Sequence, residues 1–275
     1  MEWMAASGGK ENNQDLSWYE WTIAKDISSD GQWVLFEEGS DPTTQNETVA
    51  VRRVDGSPPI HLGDGSAEDF SPDGKWVLSV ALDGPPKITL LPIGPGQPRV
   101  VALPGLERLQ FGANFLPDGR RVVVNGQETG HRVRSYIVDL DNGRATPVTP
   151  EGVSAVIPSP DGVYLAGMGA DRKLTLFPIA GGQPRFIAKL DSGAQTMQWS
   201  SDSKAIYMYK LGEVPLNVQR LDLAAGKISP VRQLVPGDRA GVVSIGPVIG
   251  SRDGSAFAYS YYQMISVLYE ISGLS

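Results

Sequence analysis

Six times along the chain one phrase returns: a turn built on an aspartate, followed by a short apolar, β-prone run. The fullest copy is Phe70-Ser71-Pro72-Asp73-Gly74-Lys75-Trp76-Val77-Leu78-Ser79-Val80. Pro72 presets φ at the first corner, Asp73 caps the turn with its carboxylate, and Gly74 supplies a left-handed residue. The other copies centre on Asp30, Asp118, Asp161, Asp202 and Asp253, and the six recur roughly every 40 to 50 residues. Each is followed by a strand-like run such as Trp33-Val34-Leu35-Phe36 or Val163-Tyr164-Leu165-Ala166. A second run comes next, such as Lys87-Ile88-Thr89-Leu90-Leu91 or Val267-Leu268-Tyr269-Glu270. A unit of that length with four short strands is a propeller blade. The chain is therefore predicted to be all-β, a six-bladed β-propeller of four-stranded blades.

The predicted blades run over about 22–64, 65–105, 106–149, 150–190 and 191–237, with the last at 238–275. That last unit ends three strands in. Leu16-Ser17-Trp18-Tyr19-Glu20-Trp21 is aromatic and alternating, and is predicted to be the N-terminal strand that joins the C-terminal blade and closes the ring. Residues 1–15 read as a polar tail or linker, which leaves 16–275 as a single domain.

Composition narrows the function classes. The chain has no cysteine, which excludes disulfides and thiolate metal sites. Its net charge of −7, with no basic stripe, argues against nucleic acid. No apolar run reaches membrane-spanning length, and no secretory signal pattern stands at the N-terminus. Glycine-rich phosphate loops, Gly-x-Ser-x-Gly elbows and His-Glu-x-x-His pairs are absent. Asn46-Glu47-Thr48 matches a glycosylation sequon.

Repetition at one structural position marks Asp30, Asp73, Asp118, Asp161, Asp202 and Asp253 as turn caps rather than ligands or catalysts. In a propeller these turns share one face. The opposite face carries the loops between second and third strands and the blade-to-blade connections, and it is expected to form the binding mouth. Its candidate residues are Glu37, Glu38, Glu68, Arg108, Asn125, Glu128, His131, Arg172 and Glu213. A mixed, mostly negative rim suits a protein or peptide partner, a basic peptide above all. No cofactor or metal is expected. The alternative is a lactonase-like propeller hydrolase with a central calcium ion, for which Glu38, Asn125, Asp171 and Glu213 are the nominated set.

Phe70-Ser71-Pro72-Asp73-Gly74-Lys75-Trp76, with Lys87-Ile88-Thr89-Leu90-Leu91-Pro92-Ile93 and Gly96-Gln97-Pro98-Arg99, resembles the TolB-like, WD40-like (PD40) propeller repeat. The resemblance covers all six repeats, although Ser203 replaces the turn glycine in one and proline is missing from three. Asp15 to Trp21, Val148 to Val153 and the ending Ala258-Tyr259-Ser260-Tyr261 are similar to the propeller at the C-terminal end of bacterial, notably acidobacterial, receptor-type serine/threonine kinases. That resemblance implies a sensor or protein-interaction module outside the cytoplasmic membrane, and it carries over no binding residue. The lack of any catalytic constellation points to a non-catalytic binding module, and the isolated domain is expected to be monomeric.

Overall fold

The repeated turn is wired the same way wherever serine precedes it. Ser71 Oγ donates to Asp73 Oδ1 at 2.6 Å and accepts from the Trp76 amide at 3.0 Å. The pairs Ser28–Asp30, Ser159–Asp161, Ser200–Asp202 and Ser251–Asp253 repeat the 2.6 Å contact. Leu116 stands where the third copy would have serine. There Asp118 instead accepts the amides of Arg120 and Arg121 and the Arg121 guanidinium. The residue after each aspartate is left-handed, with φ of 68° at Gly74 and 58° at Ser203, the one copy in which a β-carbon is carried there.

A computed structural model describes residues 2–7, 10–17, 21–39, 48–251 and 253–264. The described residues contain strands and no helix. The chain begins with β1 (Glu2–Ser7) and β2 (Lys10–Asp15). Five blades of four consecutive strands follow. The first is β3 (Trp21–Ile27), β4 (Trp33–Gly39), β5 (Thr48–Arg53) and β6 (Ile60–Asp64). The second is β7 (Ser66–Phe70), β8 (Trp76–Val80), β9 (Lys87–Pro92) and β10 (Arg99–Ala102). The third is β11 (Arg108–Phe115), β12 (Arg121–Gln127), β13 (Arg134–Asp139) and β14 (Ala145–Pro147). The fourth is β15 (Val153–Pro158), β16 (Tyr164–Gly169), β17 (Lys173–Pro178) and β18 (Arg185–Lys189). The fifth is β19 (Ala194–Trp199), β20 (Ala205–Lys210), β21 (Leu216–Asp222) and β22 (Ile228–Leu234). The chain then adds β23 (Val242–Gly250) and β24 (Ala256–Gln263).

The expectation of six blades, the last closed by one N-terminal strand, is corrected. The chain makes five such blades. The remaining sheet is a composite in the order β2-β1-β24-β23, two strands from each end of the chain. β1 pairs with β24 from Glu2↔Tyr259 to Ala5↔Ala256, and β2 pairs outside β1. The stretch read as a polar tail therefore supplies both strands. Its composition misled because an outermost strand faces water and tolerates polar residues. Leu16 and Ser17, expected inside the closing strand, are in no strand, and Trp21 opens β3. Leu16 is instead a fully buried plug packed with Ala24, Ile27, Val34, Phe36 and Ala258. Arg52 Nη1 donates to its carbonyl at 3.0 Å. Trp18, Tyr19, Asn46 and the expected strand at Val267–Glu270 lie outside the described residues.

The apolar face of each sheet packs on its neighbour's. Leu78, Ile88, Tyr136 and Val138 fill the space between the second and third blades. Ile206, Met208 and Leu221 meet Leu174 and Leu176 between the fourth and fifth. The first strands β3, β7, β11, β15, β19 and β23 stand in succession round an axis, with β23 returning to β3. Every one of them carries a bulge at the same level. The register slips at Lys25, at Glu68, at Phe111-Gly112, at Ala155-Val156, at Met197 and at Gly246-Pro247. A bulge re-aims side chains, and those of Lys25, Glu68 and Met197 border the axial cavity.

Candidate functional site

The axis holds a cavity of about 130 Å³. Its walls are the ends of the first strands just before the repeated turns: Asp26 and Ile27, Asp69, Asn114 and Phe115, Ile157, Gln198 and Trp199, and Ile249. Pro117 and Pro160 of the turns themselves complete it. The cavity therefore lies toward the turn end, not under the opposite mouth where the sequence placed it. Of the nine predicted site residues, Glu68 alone lines it.

Above that level sits a compact charged cluster. Lys25 Nζ lies 2.9 Å from Glu37 Oε1 and 5.7 Å from the centre of the Phe111 ring. Glu37 is buried and also accepts from Ser66 Oγ and the Ala67 amide, each at 2.7 Å. Glu68 reaches across to the third blade. Its Oε2 accepts the amides of Gly112 (3.2 Å) and Ala113 (3.0 Å), and its Oε1 lies 3.2 Å from Ser66 Oγ. Burial pushes the Glu68 carboxyl up from 4.5 to about 7; Lys25 opposes that rise and Glu37 adds to it. The carboxylate is enclosed by protein while part of the residue borders the channel.

The other predicted residues are dispersed. Glu38 is buried and accepts from Thr22 Oγ1 at 2.6 Å. Asn125 is buried between Ser135 Oγ (2.8 Å) and the Phe111 carbonyl (3.1 Å), where it braces the bulge of β11. Arg108 is clamped to Gln127 and Glu128 to Arg134. His131 Nδ1 is 2.6 Å from Glu151, and this hydrogen bond helps hold the Glu151 carboxyl below its usual range. Arg172 adopts φ of 62° and its guanidinium caps the carbonyls of Leu190, Asp191 and Ala194. Glu213 faces Lys210 at 3.8 Å and borders a separate 330 Å³ cleft between the fourth and fifth blades. The set nominated for a central metal, Glu38, Asn125, Asp171 and Glu213, is not gathered: Asp171 pairs with Lys173 3.1 Å away, and each of the others is held by its own neighbours. Among the described residues no group of three His, Cys, Asp or Glu is placed to hold a metal ion.

The sequence reading missed the residues that do meet on the axis. Asp26 Oδ2 accepts the Phe70 amide at 3.0 Å and Asp69 Oδ2 accepts the Phe115 amide at 2.7 Å, each stitching one blade to the next. Gln198 Nε2 donates to the Ser251 carbonyl and the Trp199 indole to the Ile157 carbonyl. The signal was present: Asp26, Asp69, Asn114 and Gln198 all stand four positions ahead of a turn aspartate.

On the mouth face, exposed apolar side chains gather at the seam of the fifth blade and the composite sheet. Val243 and Tyr262 occupy the mouth-side ends of β23 and β24, and Met264, which follows β24, is 69% exposed. Leu211 lies over Gly246 of β23, and Val214 follows in the same loop.

No protein-family model matches the chain. Among solved structures it is similar to a putative TolB from Agrobacterium tumefaciens, with TM-score 0.66 and 20% identity over 96% of this chain and 98% of that one. It is similar to TolB from Acinetobacter baumannii at TM-score 0.63 and 17% identity, covering 86% of this chain and 65% of that one. The chain thus spans about two thirds of that protein. An oligogalacturonate lyase from Vibrio parahaemolyticus gives TM-score 0.60 and 13% identity, covering 93% and 76%. At these identities the likeness is one of fold alone: the chain has a TolB-like β-propeller fold.

Proposed function

We propose that the chain is a non-catalytic binding module whose mouth face docks a protein or peptide through an apolar anchor. The observation that carries this is the exposed cluster of Leu211, Val243, Tyr262 and Met264 beside the channel mouth. Apolar side chains grouped this way on a propeller end mark an interaction surface. The carboxylates a catalyst would need are committed elsewhere: Glu37 to Lys25 and Ala67, Glu68 to two backbone amides, Glu38 to Thr22. The rim acids Glu128, Glu151 and Glu213 each face a basic partner. Apolar contact rather than a run of free acids therefore provides the affinity, and the net charge of −7 steers basic flanks toward it. A sensor or interaction part of a bacterial signalling protein, the role implied by the likeness to kinase-linked propellers, fits such a surface. The fold likeness to a lyase keeps a propeller enzyme as the second reading.

Display selection of peptides against the folded chain tests the proposal. Selected peptides lose about tenfold affinity when Leu211→Ser and Met264→Ser are combined. They are unaffected by Asp141→Lys with Lys204→Glu on the turn face. Peptides that ignore the mouth variant, or a selection that enriches none, refute it.

A further inference from the structure

Glycine has no β-carbon to shield its main-chain nitrogen. An asparagine that precedes glycine is therefore the one most open to attack on its carboxamide by the next amide. The chain has two such pairs, Asn125-Gly126 and Asn142-Gly143. The fold treats them oppositely. Asn125 is 5% exposed, and its carboxamide is held by Ser135 Oγ at 2.8 Å and by the Phe111 carbonyl at 3.1 Å. Gly126 lies inside β12, with Leu109 of β11 on one side and Arg134 of β13 on the other. Asn142 stands exposed in the hairpin between β13 and β14. Its Oδ1 accepts the Arg144 amide at 2.9 Å, and the Gly143 amide donates to the Asp139 carbonyl at 2.9 Å. Those bonds close a loop whose return strand, β14, is outermost and 3 residues long. An exposed loop tip on a short edge strand opens locally at low cost.

We infer that Asn142 is a site of spontaneous deamidation and that the fold spares Asn125. Hydroxide takes the Gly143 amide proton, and the nitrogen attacks Asn142 Cγ. The Cγ–Nδ2 bond breaks, and ammonia leaves with a proton returned by water, which closes a cyclic imide. Water then opens the imide. Cleavage between Cγ and the Gly143 nitrogen gives aspartate. Cleavage between the main-chain carbonyl and that nitrogen leaves the chain running through Cβ and Cγ, as isoaspartate. Either product adds a negative charge beside Asp139 and Asp141, where Arg99 Nη2 reaches from the second blade to the Leu140 carbonyl (2.6 Å) and Asp141 (3.4 Å). Isoaspartate also lengthens the main chain where there is no slack. A β-carbon on Gly143 would collide with the Ala102 carbonyl of β10, so the loop seats directly against the second blade. The lengthened loop loses that seat and weakens the seam between the second and third blades. The loop is on the turn face, away from the docking face, so the inference stands independently of the proposed function.

The test is incubation of the folded chain in mildly alkaline buffer, followed by peptide mapping with mass spectrometry. The Asn142 peptide gains the mass of a carboxyl over a carboxamide and splits into aspartate and isoaspartate forms, faster as pH rises. Asn125 reacts at least about tenfold more slowly while the chain is folded, and at a similar rate once urea unfolds it. Asn142→Gln, whose longer side chain cyclises far more slowly, leaves the fold intact and removes the fast reaction. An Asn142 that survives, or that reacts no faster than Asn125 in the folded chain, overturns the inference. Asn142→Asp carries the new charge without the lengthened main chain. The purified isoaspartate form melts below Asn142→Asp, and equal melting refutes the weakened seam.

Discussion

Replacing Glu68 by Gln removes a charge from the place where the fold tolerates it least. The folded carboxyl titrates at about 7 against 4.5 in its ordinary state. At about 1.4 kcal/mol per pH unit the gap is worth about 3 kcal/mol. Between those two values the folded chain keeps a proton that the unfolded chain has released. Its contribution therefore makes stability fall as pH rises from 4.5 toward 7 and level off above. Glutamine is close in shape, turns its carbonyl to the Gly112 and Ala113 amides, and offers its NH₂ to Ser66 Oγ. Lys25 keeps Glu37. Chemical denaturation of both proteins from pH 5 to pH 8 yields the difference. At pH 5 the two are within about 1 kcal/mol; by pH 8 the variant is the more stable by roughly 1–3 kcal/mol, the lower figure allowing for screening from the channel. A difference independent of pH, or a variant that loses ground as pH rises, refutes the account of Glu68 as a desolvated acid.

Deleting residues 1–15 strips β1 and β2 from the composite sheet and leaves β24 with an open edge. The truncated chain melts more than about 5 °C lower and associates, seen by calorimetry and sedimentation; unchanged melting of a clean monomer contradicts the pairing. Asp73→Ala loses the bonds from Ser71 and Lys75 and costs about 1 kcal/mol at pH 7. The Ser71 hydroxyl holds that carboxyl below 3.8, so the deficit is full at neutral pH and disappears as acid protonates the wild type; a deficit that persists in acid denaturation scans rules out the carboxylate as its source.

Blades were legible because turns are local chemistry. Pro72-Asp73-Gly74 and its five relatives need only their own backbone to declare themselves, and the boundaries of five blades followed. The closure was not legible, because Lys10 to Asp15 is an outer strand whose polar residues say nothing about pairing. The burial of two rim candidates was not legible for a different reason. Glu37 and Glu38 stand on a strand end that looks like a rim in sequence, yet both are buried. Whether a strand-end carboxylate faces solvent or a neighbouring blade depends on the bulges at Lys25 and Glu68, which the apolar pattern does not encode. Asp26 and Asp69 carried a periodic signal of their own, overshadowed by the stronger one four residues later.

A ring sealed by strands from both chain ends has a kinetic signature. The first five blades rest on contacts between neighbours in sequence and accumulate one after another. The pairing of Glu2 with Tyr259 joins residues at nearly the greatest separation the chain allows. Loop-closure entropy grows slowly with length, by ~0.6 kcal/mol per doubling, so the seal is thermodynamically inexpensive. It is late all the same, because it waits for β24 and for an aligned ring. Until then the edge of β24 stays unpaired, so a partly folded chain is most open to capture by another copy at the last step of its own assembly.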